Sequence, residues 1–433
     1  MKTKKLMPFC VFGLVLLLLP RVGLCQAIPG TDNTTLVVFA RHTFRGISKK
    51  IGPQKISLPQ YGIDIAIPLL SYGEEATPEG LSIAEHFAAP GLQEAAALAV
   101  AAIRENQVFD GQWDEIRAEL AVERTFWTGL YLKKGLEENG PQHNRPIKFT
   151  GCPIDPAKDK DAIDAVSSDH PVRKCVPPDV YSALIRASPD LPKLKNNFQN
   201  FLNTVRAAIG LPQPVEIQDP VYTDKNMLPP EYDQIAALAS IIEMIADLGP
   251  PLPQIFRSGD RAHLMRSGKL AVQRGVNGLG IRFFTSEPSP LSDAVSVIPV
   301  NYMMSRPRGS HTIVVTHDNF MSALMSSLGI ISSSSAPDDW AIFPIESYVF
   351  AFGNSNVSVV RMRIDISDRD GAMPGNYASQ VVWRGGLSQW NQKVRALNQR
   401  ASTMDLSACD QPVTECEARR LRVVFHTPEE ESD

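Results

Sequence analysis

The sequence predicts an α/β protein, with strands buried in a mostly parallel sheet, flanking helices, and a helical segment inserted in the chain. Three observations carry this prediction. Leu36-Val37-Val38-Phe39-Ala40 is an unbroken apolar run, as a strand covered on both faces requires. Residues 312–316 have strand character around Ile313-Val314-Val315, followed by a helical stretch at 319–328. Residues 153–285 hold Pro-rich turns and helical patterns but no convincing strand. The expected organisation is an α/β domain built from 28–152 and 286–433, with 153–285 as a helical cap inserted in it.

The remaining elements follow in order. Thr77-Pro78-Glu79 opens a helix, with Thr77 as N-cap and Pro78 in the first turn. Residues 92–104 are Ala-rich and strongly helical. Residues 117–122 suit a short strand and 125–136 a helix. Inside the insertion, helical patterns cover 196–209, 231–248 and 261–274. Strand character returns at 346–351, 357–366 and 380–383. The alternation of Val360, Met362, Ile364 and Ile366 places 357–366 in an antiparallel or edge position.

Composition narrows the class. The chain has 433 residues, 21% charged and 43% hydrophobic, with a formal net charge of -4. That is an ordinary globular balance, and no Lys/Arg-rich run in the body of the chain points to nucleic acid. Lys2, Lys4 and Lys5 followed by the apolar stretch 6–19 and Pro20 read as a secretion signal, with cleavage expected after Ala27. The stretch is short for a membrane span and contains Pro8 and Gly13, so no membrane anchor is expected after cleavage. A lipid attachment at Cys25 is disfavoured because Leu24 stands where a small residue belongs. Cys152, Cys175, Cys409 and Cys416 remain outside the signal. An even number in an exported chain suggests two disulfides. Local pairing is the simplest of three connectivities. A zinc site would call for closely spaced pairs, and no C-x-x-C is present.

The chemistry concentrates where strands end. The run 36–40 leads directly into Arg41-His42-Thr43-Phe44-Arg45, and 312–316 into His317-Asp318. In open α/β sheets, ligands bind beyond the carboxyl ends of the strands, so both clusters are expected on one rim. Glu123-Arg124 follows the weaker strand. Arginine forks match phosphoryl oxygens, a neutral imidazole attacks phosphorus, and a carboxylic acid protonates a departing alkoxide. This set needs no metal and no cofactor.

These residues resemble the signatures of the histidine acid phosphatase family. Arg41-His42-x-x-Arg45 is similar to its R-H-G-x-R-x-P motif, and His317-Asp318 to its H-D pair. Glu123-Arg124-Thr125 resembles the segment that supplies a third arginine, and Thr77-Pro78-Glu79-Gly80 its T-P-x-G helix start. The resemblance runs from about residue 36 to 366, closest to the periplasmic bacterial branch of phytases and glucose-1-phosphatases, and the C-terminal cysteine pair also fits. It implies a phosphoglycerate-mutase-like, mostly parallel sheet with an inserted helical cap. It also implies metal-independent hydrolysis of small-molecule phosphate monoesters in the periplasm or outside the cell, with an acidic optimum. His42 would be the nucleophile and Asp318 the general acid. Arg41, Arg45, Arg124 and His317 would cradle the phosphate. Thr43 and Lys49 are candidate substrate contacts, Lys49 because Ser48-Lys49 resembles a Thr-Lys pair of the phytases.

Two departures bear on activity. Thr43 replaces the motif's glycine and Ile47 its proline, and a β-branched residue beside the nucleophile is expected to crowd the pocket. They motivate an alternative from another class, a catalytically weak member of the fold that binds phosphate ligands. A phosphomutase would need a cytosolic phosphorylated cofactor, which the signal segment opposes. Glu346 reads equally as a pocket residue and as a strand-edge carboxylate. His86, His143, His170, His263, His311 and His426 read as surface or helix-packing residues. Gly275–Gly280 lacks a preceding strand and reads as a loop. Motifs of zinc peptidases, serine hydrolases and nucleotide triphosphatases are absent from the sequence. It leaves the physiological substrate and the oligomeric state open.

Overall fold

The structure, a computed structural model, describes residues 34–43, 55–66, 78–103, 109–118, 123–139, 146–150, 191–211, 213–217, 234–235, 238–239, 290–331, 342, 344–364 and 377–403. All of these lie in one compact unit, Thr34–Asp433. In chain order the strands are β1 (Thr35–Arg41), β2 (Lys55–Leu58), β3 (Ile63–Ala66), β4 (Glu115–Ala118), β5 (Lys148–Thr150), β6 (His311–Thr316), β7 (Ser347–Phe352), β8 (Asn356–Ile364) and β9 (Tyr377–Gly386). The helices are α1 (Pro78–Ile83), α2 (Ala89–Ile103), α3 (Glu123–Asn139), α4 (Leu191–Ala208), α5 (Pro290–Ser305), α6 (Asp318–Ser327) and α7 (Leu387–Ala401), with a π-helical turn at Ala84–Ala88 joining α1 to α2.

The main sheet has seven strands in the order β5-β4-β6-β1-β7-β8-β9. The pairings from β5 to β1 are parallel, and those from β1 to β9 are antiparallel. β2 and β3 form a separate hairpin. The sheet is thus mixed, with its parallel half at the expected chemistry. β8 is antiparallel as anticipated, but it lies between β7 and β9 rather than at an edge. Val357 and Val359 feed one core and Val360 and Met362 the other, the ordinary alternation of a strand, and the pairing with β9 carries a register shift between Val359 and Val360.

Both faces are covered. β1 sends Val37 and Phe39 into one core and Leu36, Val38 and Ala40 into the other, which is why residues 36–40 hold no polar side chain. The first core takes α4, α5, α6, α7 and the β2–β3 hairpin. The second takes α1, α2 and α3. Phe198, Phe201, Leu202 and Val205 of α4 belong to the first core, so the described part of the expected insertion packs with the layer that covers the sheet. His311 is a packing residue of a different kind from the one expected. It is buried at the amino end of β6, edge-on to Phe109 and Trp113, with ring nitrogens 2.7 Å from the Gln112 carbonyl and 3.2 Å from that of Thr34.

The placement of α3 depends on small residues. Gly129 lies where a Cβ would stand 2.8 Å from the Phe149 ring, and a Cβ on Gly135 would fall on the Glu85 carbonyl oxygen of the π-helical turn. These close approaches seat the middle of α3 on Phe149 of β5 and its carboxyl half on the π-helical turn. Alanine at 135 raises helix propensity by about 1 kcal/mol, yet backbone must move to admit it, and overpacking costs about 1–3 kcal/mol. Gly135→Ala is expected to lower stability by about 1–2 kcal/mol in urea unfolding. An unchanged or higher midpoint would show that α3 can shift freely.

Candidate active site

The pairing of β1 with β6 builds the site. Arg41 stands opposite Thr316 in parallel register, so the residues that follow each strand emerge side by side. The His42 N–H continues the ladder to the Thr316 carbonyl at 2.9 Å, and the Ile345 N–H reaches the His42 carbonyl at 3.4 Å. The His42 and His317 rings meet edge to face with centroids 5.0 Å apart. β4 pairs with the other side of β6, with Ala118 opposite Val315, so the chain after β4 also leaves at this rim. Arg124 sits in the first turn of α3, not at a strand end, because the helix begins at Glu123.

His42 is buried, 3% exposed, and its protonation pattern is legible from its partners. Nδ1 lies 2.6 Å from the Thr43 carbonyl, which can only accept, so Nδ1 carries the proton. Nε2 accepts from Arg124 Nε–H at 3.1 Å, which requires its lone pair. Both contacts select one neutral tautomer. Burial first, then Arg124, His317 and Arg41, hold the imidazole pKa well below its ordinary value, against a smaller opposing effect of the Thr43 carbonyl.

Around it, Arg41 is buried. Its Nη1 donates to the Ile342 carbonyl at 2.8 Å and its Nη2 lies 3.3 Å from Asp318 Oδ2. Asp318 opens α6, and His317 caps it in extended conformation. Arg41, His42, Arg124, His317 and Asp318 therefore converge as the strand ends suggested. Arg45 and Lys49 lie outside the described residues, as do Thr77, Ile47, the signal segment and the four cysteines 152, 175, 409 and 416.

Thr43 does not behave as a crowding residue. It is fully buried, its hydroxyl donates to the Gly80 carbonyl at 2.6 Å, and its N–H donates to Thr128 Oγ1 at 2.9 Å. Its backbone needs no left-handed conformation, so glycine is not required there. Glu346 is not an edge carboxylate, since it directly precedes β7, which lies between β1 and β8. It is completely buried and paired with Arg361 and Arg363 of β8, while its backbone carbonyl accepts the Arg41 N–H at 2.9 Å. Thr128 is absent from the sequence-derived set, although its place one helical turn after Arg124 is a usable signal. Among the described residues, no three His, Cys, Asp or Glu side chains gather in a set able to hold a metal ion.

No protein-family model matches the chain, and no curated protein does. Its fold does match solved structures. Klebsiella sp. ASR1 phytase is 15% identical, with 90% of this chain and 99% of that chain covered and a TM-score of 0.53. Hafnia alvei phytase in its apo form is 14% identical, with 88% and 100% covered and a TM-score of 0.54. The same Hafnia phytase in complex with myo-inositol hexakis sulphate matches at 14% identity, 88% and 100% coverage, and a TM-score of 0.51. At these identities the shared property is the α/β fold, with its sheet flanked by helices.

The lowered pKa of His42 links the site to stability. Above pH 6.5, the ordinary imidazole midpoint, the group is neutral folded or unfolded and its contribution is complete. Below that pH the unfolded chain takes up a proton that the folded chain refuses until its own lower midpoint. Stability from this group therefore falls across that window, by at most about 1.4 kcal/mol per pH unit. Relative to His42→Asn, the wild type should lose unfolding free energy between about pH 6.5 and pH 5. Parallel pH profiles for the two proteins would show that His42 is not buried as a neutral ring.

Proposed function

We propose that the chain is a phosphomonoesterase that works through a phosphohistidine formed on His42. The observation that carries this reading is the Nε2 lone pair of a buried, neutral imidazole, fixed by the Thr43 carbonyl on one side and facing Arg124 on the other. Nε2 attacks phosphorus, the N–P bond forms, and the ester P–O bond breaks. Asp318 gives its proton to the departing alkoxide. Water then attacks the phosphohistidine, Asp318 takes up its proton, the N–P bond breaks, and inorganic phosphate leaves. During attack the imidazole becomes cationic, and the Thr43 carbonyl accepting from Nδ1–H stabilises that charge.

Arg41, Arg124 and His317 are the phosphate-binding groups of this reading, with Arg45 added from the sequence. In the free site Arg124 Nε–H occupies the lone pair that must attack. An entering phosphoryl group offers the guanidinium stronger acceptors, so binding and release of the nucleophile occur together. The lowered His42 pKa keeps the nucleophile neutral under acid conditions in which Asp318 must hold a proton, which supports an acidic optimum. Residues 153–285 serve as the helical cap, and export follows from the N-terminal segment. No described helix is long and apolar enough to cross a membrane. Because a Hafnia phytase of this fold is solved with myo-inositol hexakis sulphate, phytate is the first substrate to compare with para-nitrophenyl phosphate.

Two variants test the roles. His42→Ala is expected to abolish turnover, and acid-labile, base-stable phosphate trapped on the wild type should be missing from it. Asp318→Asn is expected to slow alkyl phosphates by on the order of a hundredfold or more, and para-nitrophenyl phosphate far less, since nitrophenolate departs without a proton. Phosphate trapped on serine or aspartate overturns the mechanism, and equal losses on both leaving groups remove Asp318 as the acid. Wild-type protein that binds phosphate without turnover replaces the reading with the ligand-binding one.

A further inference from the structure

The Thr128 hydroxyl and the backbone of Thr43 close a ring of hydrogen bonds through His42. Thr128 Oγ1–H donates to the Arg124 carbonyl at 2.6 Å, and the same oxygen accepts the Thr43 N–H at 2.9 Å. The Thr43 carbonyl accepts from His42 Nδ1–H, and Arg124 Nε–H donates to His42 Nε2. The ring thus runs from one imidazole nitrogen to the other through Thr43, Thr128 and Arg124. A hydroxyl donating to the carbonyl four residues earlier is common in helices. Its second use here is not local, since Thr43 and Thr128 lie 85 residues apart. Because the single hydroxyl proton is committed to Arg124, only lone pairs face Thr43. The Thr43 N–H and the Thr43 carbonyl belong to successive peptides joined at the Thr43 Cα, so anchoring the N–H on Thr128 helps hold the residue in the conformation that turns its carbonyl toward His42. The Thr43 hydroxyl pins the same residue to Gly80 in α1. Both threonines are completely buried, where water cannot stand in for a lost partner.

We propose that Thr128 is a positioning residue that sets the His42 tautomer and the Arg124 approach together, with Thr43 as the link between them. The kinetic part of this inference rests on the phosphatase reading, and the tautomer part rests on the hydrogen bonds alone. Thr128 touches neither substrate nor reacting atoms. It acts through the two groups that do.

The test compares Thr128→Val, which removes the hydroxyl at similar shape, with Thr128→Ser, which retains it. Two measurements are made on full-length protein. One is kcat/KM for para-nitrophenyl phosphate. The other is the pair of 15N imidazole shifts of His42, assigned by difference from His42→Asn. The wild type is expected to show a protonated Nδ1 and an unprotonated Nε2. Thr128→Val should show mixed tautomers and a kcat/KM lower by about tenfold to a hundredfold, carried mainly by kcat, as a misplaced reacting pair produces. Thr128→Ser should recover the wild-type shifts and most of the rate. If Thr128→Val does not fold, Thr128→Ala removes the same hydroxyl without setting an extra methyl against two polar backbone groups, and it carries the same expectation. Wild-type His42 protonated on Nε2 overturns the inference. So does folded Thr128→Val or Thr128→Ala with wild-type shifts and rate, or folded Thr128→Ser as impaired as Thr128→Val. A wild type without turnover but with the expected tautomer, lost in Thr128→Val, sinks the phosphatase reading and leaves the positioning role standing.

Discussion

The parallel, in-register pairing of β1 with β6 is the constraint on which the rest of the site depends. Opposing Arg41 to Thr316 brings His42 beside His317 and Arg41 within reach of Asp318. A slip of one residue would turn every side chain of β1 to the opposite face. It would exchange the residues of β1 that feed the two cores and point His42 away from Arg124. The register is held on both sides, by β6 through the His42 N–H and by the turn before β7 through the His42 carbonyl. The backbone of the proposed nucleophile is thus fixed as part of the sheet, although the residue lies past the last ladder position. Ile345, which supplies one of these bonds, adopts a left-handed φ of 66°, a conformation that disfavours a β-branched residue by about 1–2 kcal/mol. Its carbonyl is tied down by the Ser347 hydroxyl at 3.0 Å. Strain of this kind persists where surrounding bonds over-determine the backbone.

Charge is arranged in two tiers. At the rim, Arg41 and Arg124 face an imidazole that burial keeps neutral, and Asp318 balances Arg41. Beneath the rim, Glu346 is closed off by Arg361 and Arg363, with Arg361 also lying 5.6 Å from the Tyr348 ring centre. The Glu346 carboxylate is engaged with β8, while its backbone carbonyl accepts the Arg41 N–H. A buried carboxylate with two guanidiniums is weak evidence for stability in itself, but removing one partner leaves charge unpaired in the interior. The tiers therefore separate the guanidiniums around the imidazole from the ion pairs of Glu346.

The residue that looked least favourable from sequence is fully accommodated. At position 43 the conformation is open to any residue, so the methyl and hydroxyl of threonine fit, and the hydroxyl joins β1 to α1. Expecting crowding there assumed that a motif glycine serves backbone freedom. In this chain the position carries a hydrogen-bonding group instead.

The sequence by itself determined which residues make up the candidate site and which elements carry them. Apolar strand centres marked β1 and β6, and the residues at and just past their carboxyl ends are those that meet in space. The Ala-rich helix and the helix bearing Arg124 were legible because their patterns are local. Other elements were not. Pro299 lies inside α5 and reads as a breaker, and β2 and β3 are four residues each around a Pro-led turn. α7 was passed over, although its buried residues Trp390, Val394, Leu397 and Ala401 stand at helical spacing. Only the tertiary structure decided that β6 lies between β4 and β1, since strand order depends on which faces the helices can cover and no local pattern encodes it. It alone joined Thr43 to Thr128, because a hydrogen bond spanning 85 residues exists only once α3 is seated on β5 and the π-helical turn, where Gly129 and Gly135 leave room for the close approach.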